Sequence, residues 1–201
     1  AFKYRTPVII LADGIIGQMM EKVELRDEKP RMTAEEIQAV APWATVGKPA
    51  NRPYNVITSL AMESDVHEKF NRKLHAKYEQ IKENEVRYES YMLDDAEYVF
   101  VAFGCSSRIC EAVVDLLREE GIKAGLLRPV TLFPFPTKKL AELAQSVKSM
   151  MSIELNMGQM VDDVRLAVNG KCPVGFYGRQ GGIIYTPDEI AEEFKKFNNL
   201  K

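Results

Sequence analysis

The hydrophobic pattern of the chain is organised around residues 98–136, where two apolar runs flank an amphipathic segment. The first run, residues 98–103, has the length and the β-branched or aromatic content of a buried strand, and the second is residues 122–127. Between them, apolar residues recur at helical spacing: Ile109, Val113, Leu116 and Leu117. Strand, helix and strand in so short a span predict a βαβ unit with parallel strands and a right-handed crossover.

Local signals predict where this helix begins and ends. Ser106 and Ser107 are good N-cap residues, and Gly121 follows the last apolar position of the helix. Pro134 and Pro136 cannot lie in a central strand, so the chain is predicted to leave the sheet there.

The same reasoning extends the unit through residues 93–201. Strands are predicted at 150–154 and 173–177, and helices at 137–146, with Thr137 as the cap, and at 161–168. A last helix begins at residues 186–189, where Pro187 takes the first helical position and acids fill the first turn. The order βαβαβαβα predicts an α/β fold, a three-layer α/β/α domain with a mainly parallel sheet.

The chain before this domain has a different pattern. Residues 8–11 have the apolar character of a buried strand without a start signal, so residues 1–25 are predicted to be the last strand of a preceding α/β domain, the body of which is missing. Residues 26–92 are predicted to form a linker arm, with a short helix at 33–40 that Thr33 and Glu36 cap, and a long charged helix at 65–89. Trp43 is expected to anchor this arm on a domain surface or a partner chain.

Composition narrows the function classes. The 201 residues are 46% hydrophobic and 28% charged with a net charge of −2, so no basic face favours nucleic acid or an anionic membrane as a partner. The three cysteines lack a C-x-x-C pair, which argues against a disulfide framework or a cysteine-ligated cluster and fits a reducing cytoplasm. A reactive thiol at Cys105 is conceivable near a helix N-terminus, but a packing cysteine is the better interpretation. His67 and His75 are eight residues apart without a third ligand, so no metal site is predicted.

Candidate site residues lie where predicted strands end, because open α/β sheets bind ligands at that edge. Asp13, Gly14 and Gln18 follow the strand at 8–11 and are candidates for cofactor binding, with a simple Asp-Gly turn as the alternative. Loops 104–108, 156–159 and 178–182 follow later strand ends and could hold an anion or a partner's backbone. Their candidates for a ligand or an interface are Ser106, Arg108, Asn156, Gln159 and Arg179. No residue is predicted to be catalytic, and no loop matches a nucleotide-binding motif.

The exact residue sequence of several segments indicates more than the hydrophobic pattern does. Residues 4–14 (YRTPVIILADG) and 16–21 (IGQMME) resemble the end of the pyrimidine-binding domain in the alpha subunit of 2-oxoacid:ferredoxin oxidoreductases. The linker of that subunit resembles GKPANR, NVITSL and EVRYE at residues 47–52, 55–60 and 85–89. Its C-terminal domain, which has the transketolase C-terminal fold, resembles residues 94–97, 106–109, 128–136 (RPVTLFPFP) and 156–165 (NMGQMVDDVR). The chain looks most similar to the branched-chain type, which acts on 3-methyl-2-oxobutanoate, also called 2-ketoisovalerate.

The resemblance implies a complex that decarboxylates a 2-oxoacid on thiamine diphosphate with Mg²⁺, passes electrons through iron–sulfur clusters to ferredoxin, and forms an acyl-CoA. It also implies that other subunits or missing residues hold these cofactors, so this stretch alone is expected to be inactive and to serve assembly within an oligomer. Two alternatives stay open at this point. They are the beta chain of a lipoamide-linked 2-oxoacid dehydrogenase and a non-catalytic module that binds an anion or a nucleotide.

Overall fold

A computed structural model describes residues 1–45, 47–48, 50–51 and 53–200, and these residues form two compact units. The first unit comprises residues 1–11 and 19–80, and the second comprises residues 12–18 and the chain from Ile81 onward. No helix in the described ranges combines the length and the apolar character that crossing a bilayer requires.

The first unit contains two helices, α1 (Ala34–Val40) and most of α2 (Ser64–Asn84). The capping box predicted at the start of α1 is confirmed, because Thr33 Oγ1 accepts from the Glu36 N–H and the Glu36 carboxylate accepts from the Thr33 N–H. Trp43 packs inside this unit, with its ring 5.6 Å from that of Phe2 and 4.8 Å from the guanidinium carbon of Arg5.

The strand predicted at residues 8–11 is wrong for this structure. Val8, Ile9, Ile10 and Leu11 have no strand conformation and are 69%, 78%, 91% and 70% exposed. A lone strand leaves its backbone groups without partners and is not stable in water, and no strand of the described chain pairs with these residues.

The second unit is built on a five-stranded sheet in the order β1-β3-β2-β4-β5. Four of its strands are parallel, and β1 pairs antiparallel with β3 at one edge. The strands are β1 (Tyr88–Tyr91), β2 (Tyr98–Ala102), β3 (Ala124–Pro129), β4 (Ser149–Glu154) and β5 (Val174–Gly178). The predicted helix at 65–89 therefore ends at Asn84, and the polar segment after it becomes the edge strand that sequence patterning missed.

Four helices cover this sheet, two on each face. They are α3 (Gly104–Glu119), α4 (Thr137–Leu143), α5 (Met160–Val168) and α6 (Pro187–Asn198). Residues of α3 and α6 share one core cluster with Phe100 and Leu126, whereas α4 and α5 share the other with Val101 and Leu127. The predicted three-layer α/β/α domain with a mainly parallel sheet is confirmed.

The caps of these helices were predicted with mixed success. Gly121, with φ +83°, follows the end of α3, and Thr186 caps α6 as expected. Ser106 and Ser107 are not N-caps, because α3 already begins at Gly104 and both serines lie in its first turn. Thr137 is not a cap either, since α4 starts at that residue and its N-cap position is Pro136.

Candidate functional site at the carboxyl edge of the sheet

The parallel strands β2, β4 and β5 end at one edge of the sheet, and the loops that follow them lead into α3, α5 and α6. We call this region the carboxyl edge, defined by residues 103–108, 155–159 and 179–186. In open α/β sheets this is the usual position of a ligand, because helix N-termini point their free N–H groups there. What the edge can bind therefore depends on whether these N–H groups are free or already donate to acceptors within the chain.

The N-terminus of α3 carries a carboxylate from a distant part of the sequence. Asp13 Oδ2 accepts a 3.0 Å hydrogen bond from the backbone N–H of Cys105, 92 residues later in the chain. Gly104, with φ +59°, makes this approach possible, because a Cβ there would lie 2.7 Å from Asp13 Oδ2. A negative group in this position also interacts favourably with the positive end of the helix dipole.

The N-terminus of α5 is closed by Glu154, the last residue of β4. This carboxylate is only 1% exposed, and it accepts from the backbone N–H groups of Gln159, Met160 and Val161 at 3.1, 2.9 and 2.8 Å. The hydroxyl of Ser152 donates a fourth bond to it at 3.0 Å. Glu154 is thus a buried anion that the chain itself satisfies, as burial of a charge requires.

The N-terminus of α6 has a capping box. Thr186 Oγ1 accepts from the Glu189 N–H at 3.3 Å, and the Glu189 carboxylate accepts from the Thr186 N–H at 2.8 Å. Arg179 donates from Nη2 to the same carboxylate at 3.2 Å, and its backbone N–H donates to the carbonyl of Glu154 at 3.2 Å. Its Nε is buried, and the described chain offers that atom no acceptor. Arg179 therefore joins the ends of β4 and β5 to the start of α6.

Asp13, Glu154 and Glu189 together give each of the three helix N-termini a carboxylate of the chain's own. An anion from solution would have to displace these groups or bind beside them, against their negative charge. The edge is consequently poorly suited to holding a phosphate on α3 or α5, although loops at strand ends suggest such a site from sequence.

The other predicted site residues are spread along the edge without forming a shared cluster. Gly14 and Gln18 lie in a turn that follows Asp13, where both are exposed. Asn156 Oδ1 accepts from the Gly158 N–H at 2.7 Å and so shapes its own loop. Arg108 and Gln159 are exposed.

Ser106 is turned inward rather than toward a ligand. It is 3% exposed, and its hydroxyl contacts that of Tyr185, which is 2% exposed and whose ring lies 5.9 Å from that of Tyr177 in a tilted arrangement. Burial raises the pKa of Tyr185 above its usual range, so this phenol stays protonated. The pair ties α3 to the loop before α6.

Replacing Tyr185 with Phe is expected to lower the free energy of unfolding by about 1 kcal/mol, because the buried Ser106 hydroxyl loses its partner. Denaturant unfolding measures this change. A Ser106→Ala, Tyr185→Phe double variant should be no less stable than Tyr185→Phe alone, since both polar groups are then removed. A simple sum of the two single effects would contradict this pairing.

Cys105 has the environment of a packing residue. Burial raises the pKa of its thiol, the hydrogen bond and charge of Asp13 raise that pKa further, and Arg108 opposes them weakly. Cys105, Cys110 and Cys172 are all buried, and no group of three potential metal ligands occurs among the residues described. These residues fit neither an iron–sulfur cluster nor the Mg²⁺–diphosphate group of a thiamine cofactor.

Sequence reasoning missed Glu154 and Tyr185. Glu154 had one usable signal, an acid at the end of an apolar strand, five to seven residues ahead of the first helical N–H groups. Tyr185 had none, because its partner lies 79 residues away.

Comparisons with known proteins agree with this architecture. Residues 96–190 match the family described as pyruvate:ferredoxin oxidoreductase core domain II. In solved structures, 2-oxoglutarate:ferredoxin oxidoreductase from Magnetococcus marinus superimposes with a TM-score of 0.60 over 68% of this chain and 24% of its own, at 22% identity, which shows the fold. A split-gene transketolase superimposes on 56% of this chain and 42% of its own with a TM-score of 0.47 at 19% identity, too weakly to carry an argument.

Two curated relatives align with nearly the whole chain. Ketoisovalerate oxidoreductase subunit VorB of Methanothermobacter marburgensis is 42% identical over 98% of this chain and 54% of its own length. The 2-oxoglutarate synthase subunit KorA of the same organism is 30% identical over 96% of this chain and 57% of its own length. The chain thus spans about half the length of these relatives. Nearly all of the chain is similar to about half of each of these two subunits, and the match to core domain II covers residues 96–190.

Proposed function

We propose that this chain is part of a subunit of a 2-oxoacid:ferredoxin oxidoreductase that converts a branched-chain 2-oxoacid to an acyl-CoA and CO₂ with reduction of ferredoxin. The observation that carries this proposal is the 42% identity to a ketoisovalerate oxidoreductase subunit across 98% of the chain. Thiamine diphosphate, Mg²⁺ and iron–sulfur clusters belong to the proposed complex, held by other subunits or other parts of the polypeptide. The alpha-type assignment is a prediction from the resemblance of the sequence segments, and the cytoplasmic location is a prediction from the three cysteines without a C-x-x-C pair.

Within this complex we assign the second unit to subunit assembly and to framing the active site. The carboxyl edge supports a protein partner, because the chain's own carboxylates use its helix N-termini while large apolar side chains face solvent. Met157 and Ile183 in the loops after β4 and β5 are 81% and 54% exposed, and Phe133 after β3 is 62% exposed. Exposed apolar groups rimmed by polar ones are typical of protein interfaces.

Substrate use is tested with the full-length subunit assembled with its partner subunits. We expect CoA-dependent reduction of ferredoxin with 3-methyl-2-oxobutanoate to exceed that with 2-oxoglutarate or pyruvate. A preference for 2-oxoglutarate would move the proposal to the synthase type represented by KorA. Transfer to a lipoamide-bound acceptor without ferredoxin reduction would contradict the proposal and favour the lipoamide-linked dehydrogenase.

The assembly role is tested by adding a charge at the carboxyl edge. Met157→Glu and Ile183→Glu should weaken subunit association at least about tenfold, since each would bury a charge in an interface. Leu166→Glu is the matched control, because Leu166 is 78% exposed but lies near the opposite end of α5. Size-exclusion chromatography with light scattering reads the result. Equal weakening by Leu166→Glu, or none by the edge variants, would contradict an interface at this edge.

A further inference from the structure

Asp13 contacts both the N-terminus of α3 and the turn that follows it in the chain, through two different groups. Its carboxylate accepts from the Cys105 N–H at the start of α3, and its backbone carbonyl accepts from the Ile16 N–H at 3.1 Å. The next bond, from the Gln18 N–H to the carbonyl of Ile15 at 2.9 Å, completes the turn. The turn is otherwise poor in fixed contacts, since Gly14 has no neighbouring atom within 4 Å of a Cβ position and Gly14, Ile16 and Gln18 are exposed.

The receptor on α3 is shaped for this carboxylate. Gly104 has φ +59°, and any Cβ on it would meet Asp13 Oδ2 at 2.7 Å, inside the van der Waals contact distance. The helix offers positive N–H groups there, and a charged carboxylate is a stronger acceptor for a backbone N–H than a neutral oxygen is. The nearby Cys105 thiol is buried and is affected by the same charge, because Asp13 adds to the burial that raises its pKa.

We propose that Asp13 is a positioning residue: its carboxylate, seated on the N-terminus of α3, latches residues 12–18 to the carboxyl edge and shields the Cys105 thiol. The latch requires Gly104 as its receptor. It fixes where Gly14 and Gln18 are presented. The latch is the same whichever 2-oxoacid is the substrate of the complex.

Two variants open the latch by different routes. Asp13→Ala removes the carboxylate, whereas Gly104→Ala leaves it in place and blocks its seat. In the full-length subunit we expect both to raise amide exchange of residues 12–18, and alkylation of Cys105 at constant pH, by about tenfold, the cost of one charged hydrogen bond. Asp13→Asn keeps an acceptor oxygen without the charge and should lie between Asp13→Ala and the parent chain.

Site-resolved mass spectrometry of exchange and alkylation separates a latch from general destabilisation. General unfolding would also expose Cys110, which is fully buried, whereas loss of the latch changes Cys105 alone. Removal of Asp13 should also shift the pH midpoint of Cys105 alkylation downward, since the carboxylate favours the thiol form.

Gly121→Ala is the matched control for Gly104→Ala. Gly121 also has positive φ, at +83°, but a Cβ there meets no atom within 4 Å, so backbone strain alone is added. We expect Gly121→Ala to leave exchange at residues 12–18 and alkylation of Cys105 unchanged. The latch is refuted if Asp13→Ala and Gly104→Ala leave both measurements unchanged, or if Gly121→Ala reproduces their effect.

Discussion

Replacement of Glu154 with Gln is expected to lower the free energy of unfolding by about 3 kcal/mol. The reason is that the negatively charged carboxylate, which accepts several hydrogen bonds in a buried position, is replaced by a neutral amide. Glu154 accepts three backbone N–H groups of α5 and the Ser152 hydroxyl while 1% exposed. The amide of Gln offers only one oxygen, and its NH₂ group would face donors instead of acceptors. At least one buried N–H group would therefore lose its partner. Denaturant unfolding with linear extrapolation measures the change.

Asp162→Asn is the matched control, because Asp162 lies in the first turn of the same helix but is exposed and pairs with Arg165 at 3.2 Å. Exposed pairs contribute little, so a change below about 0.5 kcal/mol is expected. Comparable effects for the two variants would mean that Glu154 acts through the helix dipole alone. The hydrogen bonds to a buried anion would then not be its main contribution.

Replacement of Gly178 with Ala is expected to cost about 2 kcal/mol through overpacking where β5 ends. A Cβ at Gly178 would clash with the backbone carbonyl oxygen of Asn156 and would lie 2.5 Å from Cζ of Phe176. The carbonyl belongs to the loop that Glu154 holds on α5, so it cannot yield without disturbing that cap. The change in the unfolding free energy again measures the cost.

Gly175→Ala on the same strand provides the comparison. The three atoms nearest to a Cβ there would all belong to the ring of Phe197, the closest at 3.0 Å, and Phe197 is 37% exposed and able to move outward. We therefore expect Gly175→Ala to destabilise the domain less than Gly178→Ala. The reverse order would show that the loop carrying Asn156 is more compliant than its hydrogen bonds suggest.

The α/β core was predictable from sequence because its signals are local. Apolar runs of strand length alternate with helical periodicity between residues 98 and 194, and the structure places those residues in the two core clusters. The edge strand β1 was missed because Tyr88, Glu89 and Ser90 are exposed and lack an apolar run. Its pairing with β3 depends on contacts about 40 residues away along the chain.

The carboxyl edge was only partly predictable, because its decisive bonds join distant residues. Sequence reasoning placed Asp13 and the loop at 104–108 at strand ends, yet it could not foresee that a carboxylate reaches across 92 residues to the Cys105 N–H. At residues 8–11 the sequence instead predicts an element that the structure does not contain. Their apolar pattern predicts a strand, but the described chain provides no neighbour for the backbone to bond.

The antiparallel strand β1 has a practical consequence for fragments of this protein. It lies ahead of residue 93, where patterning alone would start the domain, and it covers the backbone groups of β3 from Leu126 to Pro129. A fragment that begins at residue 93 would leave those N–H and C=O groups of β3 unpaired. They could then pair with a strand of another molecule, so the fragment would tend to self-associate. One that begins at Ile81 keeps its own cover strand and should remain dispersed.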